Sequence, residues 1–265
     1  MKPISRIVSC GLLLLAGALI VQAQPKPLAF EVASIKENNS NDGVSGGCHG
    51  VDTLYTPGQV NAAPPLGRCR IRSARLSHMI GIAFKGVTMN LIQSGPDWIA
   101  RGDERYDVDA KAEDPTKVTD QQLLEMLQNL LTERFQLKYH KEPFEASGFA
   151  LMVGKNGPKL EATKSQDAIW DSNFKSKRSA SDPHTLRVRK CSMEHLAELL
   201  TLVANRGPIV DHTELKGEYD LSLTWDDEAG PTLGSGLSRL GLRLEPQKVQ
   251  QSRFVIDSAQ RPSAN

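Results

Sequence analysis

The chain has 265 residues, with 32 Lys or Arg against 31 Asp or Glu and a formal net charge of +1. That balance excludes the basic footprint that nucleic acid or an anionic membrane surface selects. The length suits one large domain or two modest ones, and an aromatic content of 5% is thin for an extended sugar-stacking platform.

Residues 1–23 have the layout of a signal peptide. Lys2 and Arg6 form a basic start without acids, Gly11 to Val21 is apolar but too short to span a bilayer, and Val21-Gln22-Ala23 predicts cleavage after Ala23. Removing it takes away two basic side chains and no acid, so the mature chain is faintly acidic. An exported protein, periplasmic or extracellular, with no membrane span after cleavage is expected. Three cysteines then remain. Cys48 and Cys69 flank a Gly/Pro-rich stretch and are expected to form a disulfide in an oxidising compartment, with Cys191 as a core thiol.

Phe30 to Ile35 alternates as a first strand, and 38–68 reads as a long loop tethered by the disulfide. A short helix follows Ser77 and stops at Gly86, with Ser77 as its expected N-cap. Tyr106, Val108 and Ala110 alternate with Asp107, Asp109 and Lys111 as a half-buried strand. Thr119 and Gln122 form a capping box ahead of a helix to Phe135, with Leu123, Leu124, Leu127, Leu130 and Leu131 in one stripe. The polar stretch 164–184 reads as a linker. Beyond it, a helix after Ser192 and a strand through Tyr219, Leu221, Leu223 and Trp225 repeat the earlier order.

That repetition extends to residues. IRSARLSHMI from Ile71 lies on VRKCSMEHLA from Val188, pairing His78 with His195. Gly95 to Ala112 lies on Gly207 to Trp225, each opening with Gly-Pro and reaching Tyr-Asp, and Arg134 to Lys138 lies on Gly241 to Glu245. The expected fold is α+β: two tandem related α+β units, each a mainly antiparallel sheet with helices packed on it. Residues 24–163 would form the first and 185–265 the second. Two unrelated α+β halves with coincident Gly-Pro and Tyr-Asp pairs remain the alternative.

No short motif carries chemistry. Gly43-Val44-Ser45-Gly46-Gly47 matches the serine-hydrolase string but lacks the strand-to-helix elbow that exposes the hydroxyl. Ser172-Asn173-Phe174-Lys175 matches S-x-x-K in a polar stretch with nothing to lower the lysine pKa. The six histidines form no metal-ligand spacing, and Cys48-His49 would need a distant third ligand. No catalytic residues, cofactor or metal are therefore assigned. The candidate ligand contacts are His78 and His195, paired across the repeat, with Trp98, Tyr106 and Tyr219 at strand ends.

FEVASIKENN from Phe30, SGPDWIARGDERYDVDAKAE from Ser94, LLEMLQNLLTERFQLKYHKE from Leu123, GPIVDHTELKGEYDLSLTWDD from Gly207 and FVIDSAQRPSAN from Phe254 resemble a domain-of-unknown-function family. Its members are secreted proteins abundant in acidobacteria, of "Soli" type. The resemblance covers most of the mature chain and departs mainly in the Cys48–Cys69 loop and the polar linker. It transfers no activity or catalytic residue. Relatives joined to membrane-bound sensor-type metallopeptidases imply a sensing or docking role outside the cytoplasm. The early βαβ pattern is also remotely similar to short N-terminal domains of secretins and TonB-dependent receptors. The leading expectation is a non-catalytic extracytoplasmic binding or interaction module. Its surface would be the Cys-tethered loop with the groove between the units, and its partner a protein or small molecule of the cell envelope. A secreted hydrolase of envelope or extracellular polymers is the alternative, and a structural envelope protein a third.

Overall fold

In the computed structural model, the described residues are 27–40, 42–51, 64–165, 169–172, 183–204, 206–226 and 231–262. The expected signal peptide, the middle of the Cys-tethered loop and most of the expected linker lie outside them. The first half runs β1 (Val32–Glu37), β2 (Ser45–Cys48), β3 (Arg68–Ala74), α1 (Leu76–Ala83), β4 (Ile92–Gln93), β5 (Tyr106–Lys111), α2 (Asp120–Arg134) and β6 (Lys138–Val153). The second runs β7 (Glu161–Ala162), β8 (Ile169–Ser172), β9 (His184–Cys191), α3 (Met193–Val203), β10 (Ile209–Asp211), β11 (Tyr219–Trp225), α4 (Leu233–Arg239) and β12 (Leu242–Ser258).

The fold is α+β, and its sheets and helices repeat internally. One sheet has the order β1-β5-β3-β2 and another the order β7-β11-β9-β8, all neighbours antiparallel. In both, a strand leads through a helix to its antiparallel partner. The registers agree as well. Ile71 faces Val108 and Ala74 faces Tyr106 across one irregularity, as Val188 faces Leu221 and Cys191 faces Tyr219 across another. The alternation expected on β5 and β11 holds, with Val108, Ala110, Leu221, Leu223 and Trp225 buried.

A third sheet, β10-β6-β12-β4, belongs to both halves and is mixed, which the expectation of mainly antiparallel units did not include. β6 and β12 run antiparallel from Lys138 opposite Ser258 to Val153 opposite Leu242. At one end β4 adds in parallel, Ile92 opposite Phe254, and at the other β10 does the same, Ile209 opposite Phe149. Each long strand starts in its own half's core and finishes in the other's. Leu137 precedes β6 in the first core, where Phe254 and Ile256 of β12 arrive; Leu242 opens β12 in the second core, where Leu151 of β6 arrives. Burying side chains as large as Phe254 and Ile256 contributes about 1.5–3 kcal/mol each, so the halves depend on one another.

Local signals explain most elements. Thr119 Oγ accepts the Gln122 N–H while the Gln122 side chain accepts the Thr119 N–H, closing the expected capping box. Ser192 caps α3 by accepting the His195 N–H at 3.1 Å. The expected cap at Ser77 is not observed. α1 starts two residues earlier, its N-cap is Arg75, and Ser77 is buried in the first turn. Arg75 occupies the place of Ser192, and its backbone N–H is taken up by His78 Nδ1 at 3.1 Å instead.

Two boundaries also differ from expectation. β8 and the start of β9 fall within 164–184, and β7, within the stretch read as the first unit, pairs with β11. Polar composition concealed both because β7 and β8 are short edge strands, which need no continuous apolar face.

Candidate functional site

The expected contact residues fall in four places. Trp98 and Tyr106 come together through Phe135: Trp98 stacks on that ring at 6.3 Å between centroids, and Tyr106 meets it edge-on at 5.3 Å. Both are buried, and the Arg261 guanidinium lies over Trp98 at 5.2 Å, so this cluster is core with a charged cover. Burial pushes the Tyr106 phenol above its ordinary pKa. Tyr219 is in the other half and donates its hydroxyl to the Lys216 carbonyl at 2.9 Å. His78 and His195 hold matching positions on α1 and α3 without meeting in one pocket. His195 lines the groove described next, and His78 is not among its lining residues.

That groove, about 1040 Å³, lies between α1 and α2 on one side and α3 and β10 on the other. Gln251, on the ribbon joining the halves, also lines it, as do Gly50 and Val51 just beyond the disulfide. The packing that shapes its walls is specific. Gln128 Nε2 donates to the Ala83 carbonyl at 2.8 Å, tying α2 to α1, and Thr201 Oγ1 accepts the Ile209 N–H at 2.8 Å, tying α3 to β10. Gly50 stands at φ +69°, and a Cβ there would lie 2.4 Å from the Asp120 carboxylate. Only glycine lets the loop settle on the start of α2 in this way.

The walls are uneven in charge. Asp120 of the first half faces the groove with Glu194, Glu198, Asp211 and Glu218 of the second, against Lys85 and Lys190. Glu198 meets His195 Nδ1 at 3.2 Å, and Asp211 Oδ1 accepts the Thr213 N–H at 2.8 Å. Among the described residues Asp120, Glu194, Asp211 and Glu218 form no ion pair. Ser77 lies in the wall with 0% of its surface exposed, and its Oγ has no hydrogen-bond partner. A buried hydroxyl left so costs about 1–3 kcal/mol, which a partner would recover.

Residues 77–259 match the model of a family described as a protein of unknown function (DUF3738). The chain belongs to that family. The DUF3738 match opens at Ser77 itself and runs to the end of β12, taking in every groove-lining residue except Gly50 and Val51. The disulfide and the first three strands precede it. No curated protein and no solved structure matches the chain.

Several features bear on what this DUF3738 groove can do. Cys48 and Cys69 are disulfide-bonded cross-strand partners, and Cys191 is free and buried. Ser45 begins β2 instead of sitting on an elbow, so the serine-hydrolase string has no chemical geometry. The S-x-x-K string extends outside the described residues. Among those residues, no group of three or more His, Cys, Asp or Glu is placed to hold a metal ion, and no helix is long and apolar enough to cross a membrane. Sequence reasoning found His195 through the repeat but missed Ser77 as an orphan and Asp120 and Asp211 as groove acids. Nothing in their local pattern separates them from caps and surface charges.

Proposed function

We propose that this protein is an exported, extracytoplasmic binding module whose ligand sits in the groove between its two halves. The carrying observation is a groove built by both halves that holds a shielded, unbonded hydroxyl at Ser77 beside carboxylates without ion-pair partners. The buried hydroxyl is costly in the empty protein, and the carboxylates, exposed at Asp120, Glu194 and Glu218, are open to pairing with a ligand that enters. Export is supported by the leader pattern of residues 1–23 and by the disulfide, which persists in oxidising compartments. The resemblance to secreted, acidobacterial proteins points the same way. We also infer that the halves are related units copied in tandem, since strand order, register and helix placement recur together.

A hydrolase reading draws on the His195–Glu198 pair in the same groove. Acyl transfer needs nucleophile and base in hydrogen-bond reach, and the Ser77 hydroxyl bonds to neither. Binding is therefore favoured over catalysis.

The test is a thermal-melting screen of envelope-derived small molecules and peptides, run on the protein and on a groove-filling variant, Gln121→Trp with Glu194→Trp. Both positions are exposed and line the groove. A ligand at a hundred times its Kd adds about 2.7 kcal/mol of stability. The reading expects ligands that raise the melting temperature of the protein and leave the filled variant unmoved; ligands that raise both equally overturn it.

A further inference from the structure

We infer that Arg75 and Arg105 form a site for a phosphate group, either free or carried by an ester. Neither residue lines the groove, so the inference goes beyond the binding reading above. Ala74 faces Tyr106 at the end of the β3–β5 pairing, and the next residues outward, Arg75 and Arg105, meet at one oxygen. Arg75 Nε donates to the Gly102 carbonyl at 2.8 Å, and Arg105 Nη1 donates to the same carbonyl at 3.0 Å. Two half-buried guanidinium groups are thereby held side by side, and neither forms an ion pair among the described residues. The Glu104 carboxylate is taken by Arg261, and the exposed Asp103 attracts Arg75 only from beyond ion-pair distance.

The arrangement is unfavourable in the empty protein. Like charges opposite one another at a strand pair repel. Arg75 is also the N-cap of α1, where it gives no side-chain hydrogen bond and sets a cation at the positive end of the helix dipole. Burial and the Arg105 charge together hold the Arg75 guanidinium below its ordinary pKa. The fold itself requires none of this. In the matching place of the second half, Ser192 caps α3 by accepting the His195 N–H, and Glu218 stands where Arg105 stands. An anion between the two arginines removes the repulsion, suits the helix start and supplies the missing counter-charge.

The free donors favour phosphate among anions. Arg75 commits Nε to Gly102, and Arg105 commits Nη1 to the carbonyls of Gly102 and Glu104. Both terminal nitrogens of Arg75, with Nε and Nη2 of Arg105, make no other hydrogen bond among the described residues. Two forks carrying two charges match a tetrahedral dianion, whereas a planar carboxylate matches one fork and one charge.

The test is titration calorimetry of the full chain with inorganic phosphate at fixed ionic strength in chloride, with succinate as a carboxylate probe. Saturable binding of phosphate, tighter than that of succinate, is expected. Arg75→Ser, which copies the cap of α3, should weaken phosphate at least tenfold, equivalent to about 1.4 kcal/mol, and should leave the melting temperature without phosphate unchanged or raised. Arg105→Gln should weaken phosphate as much. Arg239→Gln, at an exposed position in the last turn of α4, makes the same charge change as either and should leave binding unaltered. The groove-filling variant should bind phosphate like the unaltered chain, because the two sites are separate. Glycerol 3-phosphate tells the sources apart: tenfold tighter binding than phosphate supports an esterified ligand, and equal or weaker binding supports the free ion. Absence of phosphate binding, equal weakening by Arg239→Gln, or tighter binding of succinate overturns the inference. A lower melting temperature of Arg75→Ser without phosphate overturns it too, since the guanidinium would then be holding the empty fold together.

Discussion

Ser73 and Lys190 adopt the same left-handed backbone, φ +51° in each, and each sends its N–H to an aspartate: Ser73 to Asp107 Oδ1 at 2.9 Å and Lys190 to Asp220 Oδ1 at 3.0 Å. The two aspartates follow Tyr106 and Tyr219, and each arrangement sits at the irregularity in its strand pair. A bulge leaves one residue out of the ladder and turns the strand. Here the carboxylate takes up the stranded N–H, and the chain can enter α1 or α3 one residue past the strand. Hydrogen bonds to a charged group contribute about 1.5–3 kcal/mol. Asp107→Ala and Asp220→Ala should each lower stability by about that amount in urea denaturation. The double variant should show near-additive losses, because the sites belong to different sheets. Losses under about 0.5 kcal/mol would remove the carboxylates from any role in shaping the bulge.

Acid should loosen the cover over Trp98. The hydrogen bond from Arg261 holds the Glu104 carboxyl below the usual carboxylate range, and Gln260 N–H donates to the Phe135 carbonyl at 2.7 Å alongside. A depressed carboxyl contributes stability that is present above its unfolded value, about 4.3, and is lost as pH falls through the folded value. The pair is partly exposed, so the effect is modest. Arg261→Ala should lower the melting temperature at neutral pH and flatten its decline below about pH 4. A parallel decline in both proteins would separate Glu104 from acid sensitivity.

Cys48 and Cys69 close a loop with a sequence separation of 21. Chain entropy assigns such a loop about 3 kcal/mol. Replacing both by Ala should cost about that much, and because Gly50 and Val51 lie just beyond Cys48 on the groove, ligand affinity should fall as well. Cys191 donates Sγ–H to the Ser192 carbonyl at 3.3 Å and is buried, so a thiol reagent should label it only in denaturant. Fast labelling of the native protein at Cys48 or Cys69 would contradict the bond.

Ser77→Ala tests whether the buried hydroxyl is a cost to the fold. Removing it should leave the protein as stable or up to about 1 kcal/mol more stable. Destabilisation by more than about 1 kcal/mol would mean that the hydroxyl supports the fold.

The sequence shows the repeated strand–helix–strand order because half-buried strands alternate and capped helices announce their starts. Tyr106 and Tyr219 are recognisable as counterparts for that reason, and they occupy matching register positions. The matching Gly-Pro pairs are not structural counterparts: Gly95-Pro96 follows β4, whereas Gly207-Pro208 precedes β10. Laying Arg134 on Gly241 is also two residues out. Gln136 and Gly241 share positive φ at +48° and +71°, which places Leu137 on Leu242 and Phe149 on Phe254. A slip of two keeps every side chain on its own face, so alternation could not detect it. The third sheet was hidden because the first part of β6 is exposed, from His140 to Pro143, and its pairing is set by distant segments. The groove was foreseen as a place and not as a set of residues, since neighbours across it are far apart in sequence.

The shared sheet makes a demanding prediction about the halves in isolation. Residues 27–154 contain a complete first helical layer and all of β6, yet they lack Phe254 and Ile256, which are 0% and 2% exposed in that core, and leave Ile92 without its partner. Losing two such side chains removes about 3–6 kcal/mol, while a domain of this size has only about 5–15 kcal/mol in total. The exposed face of β6 would add an unpaired edge open to aggregation. Expressed alone, 27–154 should give no cooperative melt by circular dichroism. Mixing it with 159–262, which supplies β12, should restore one at a temperature that rises with concentration. A cooperative melt of the isolated fragment at the temperature of the whole chain would show that each half completes its own core, and the exchange of β6 and β12 would then be no part of what holds either together.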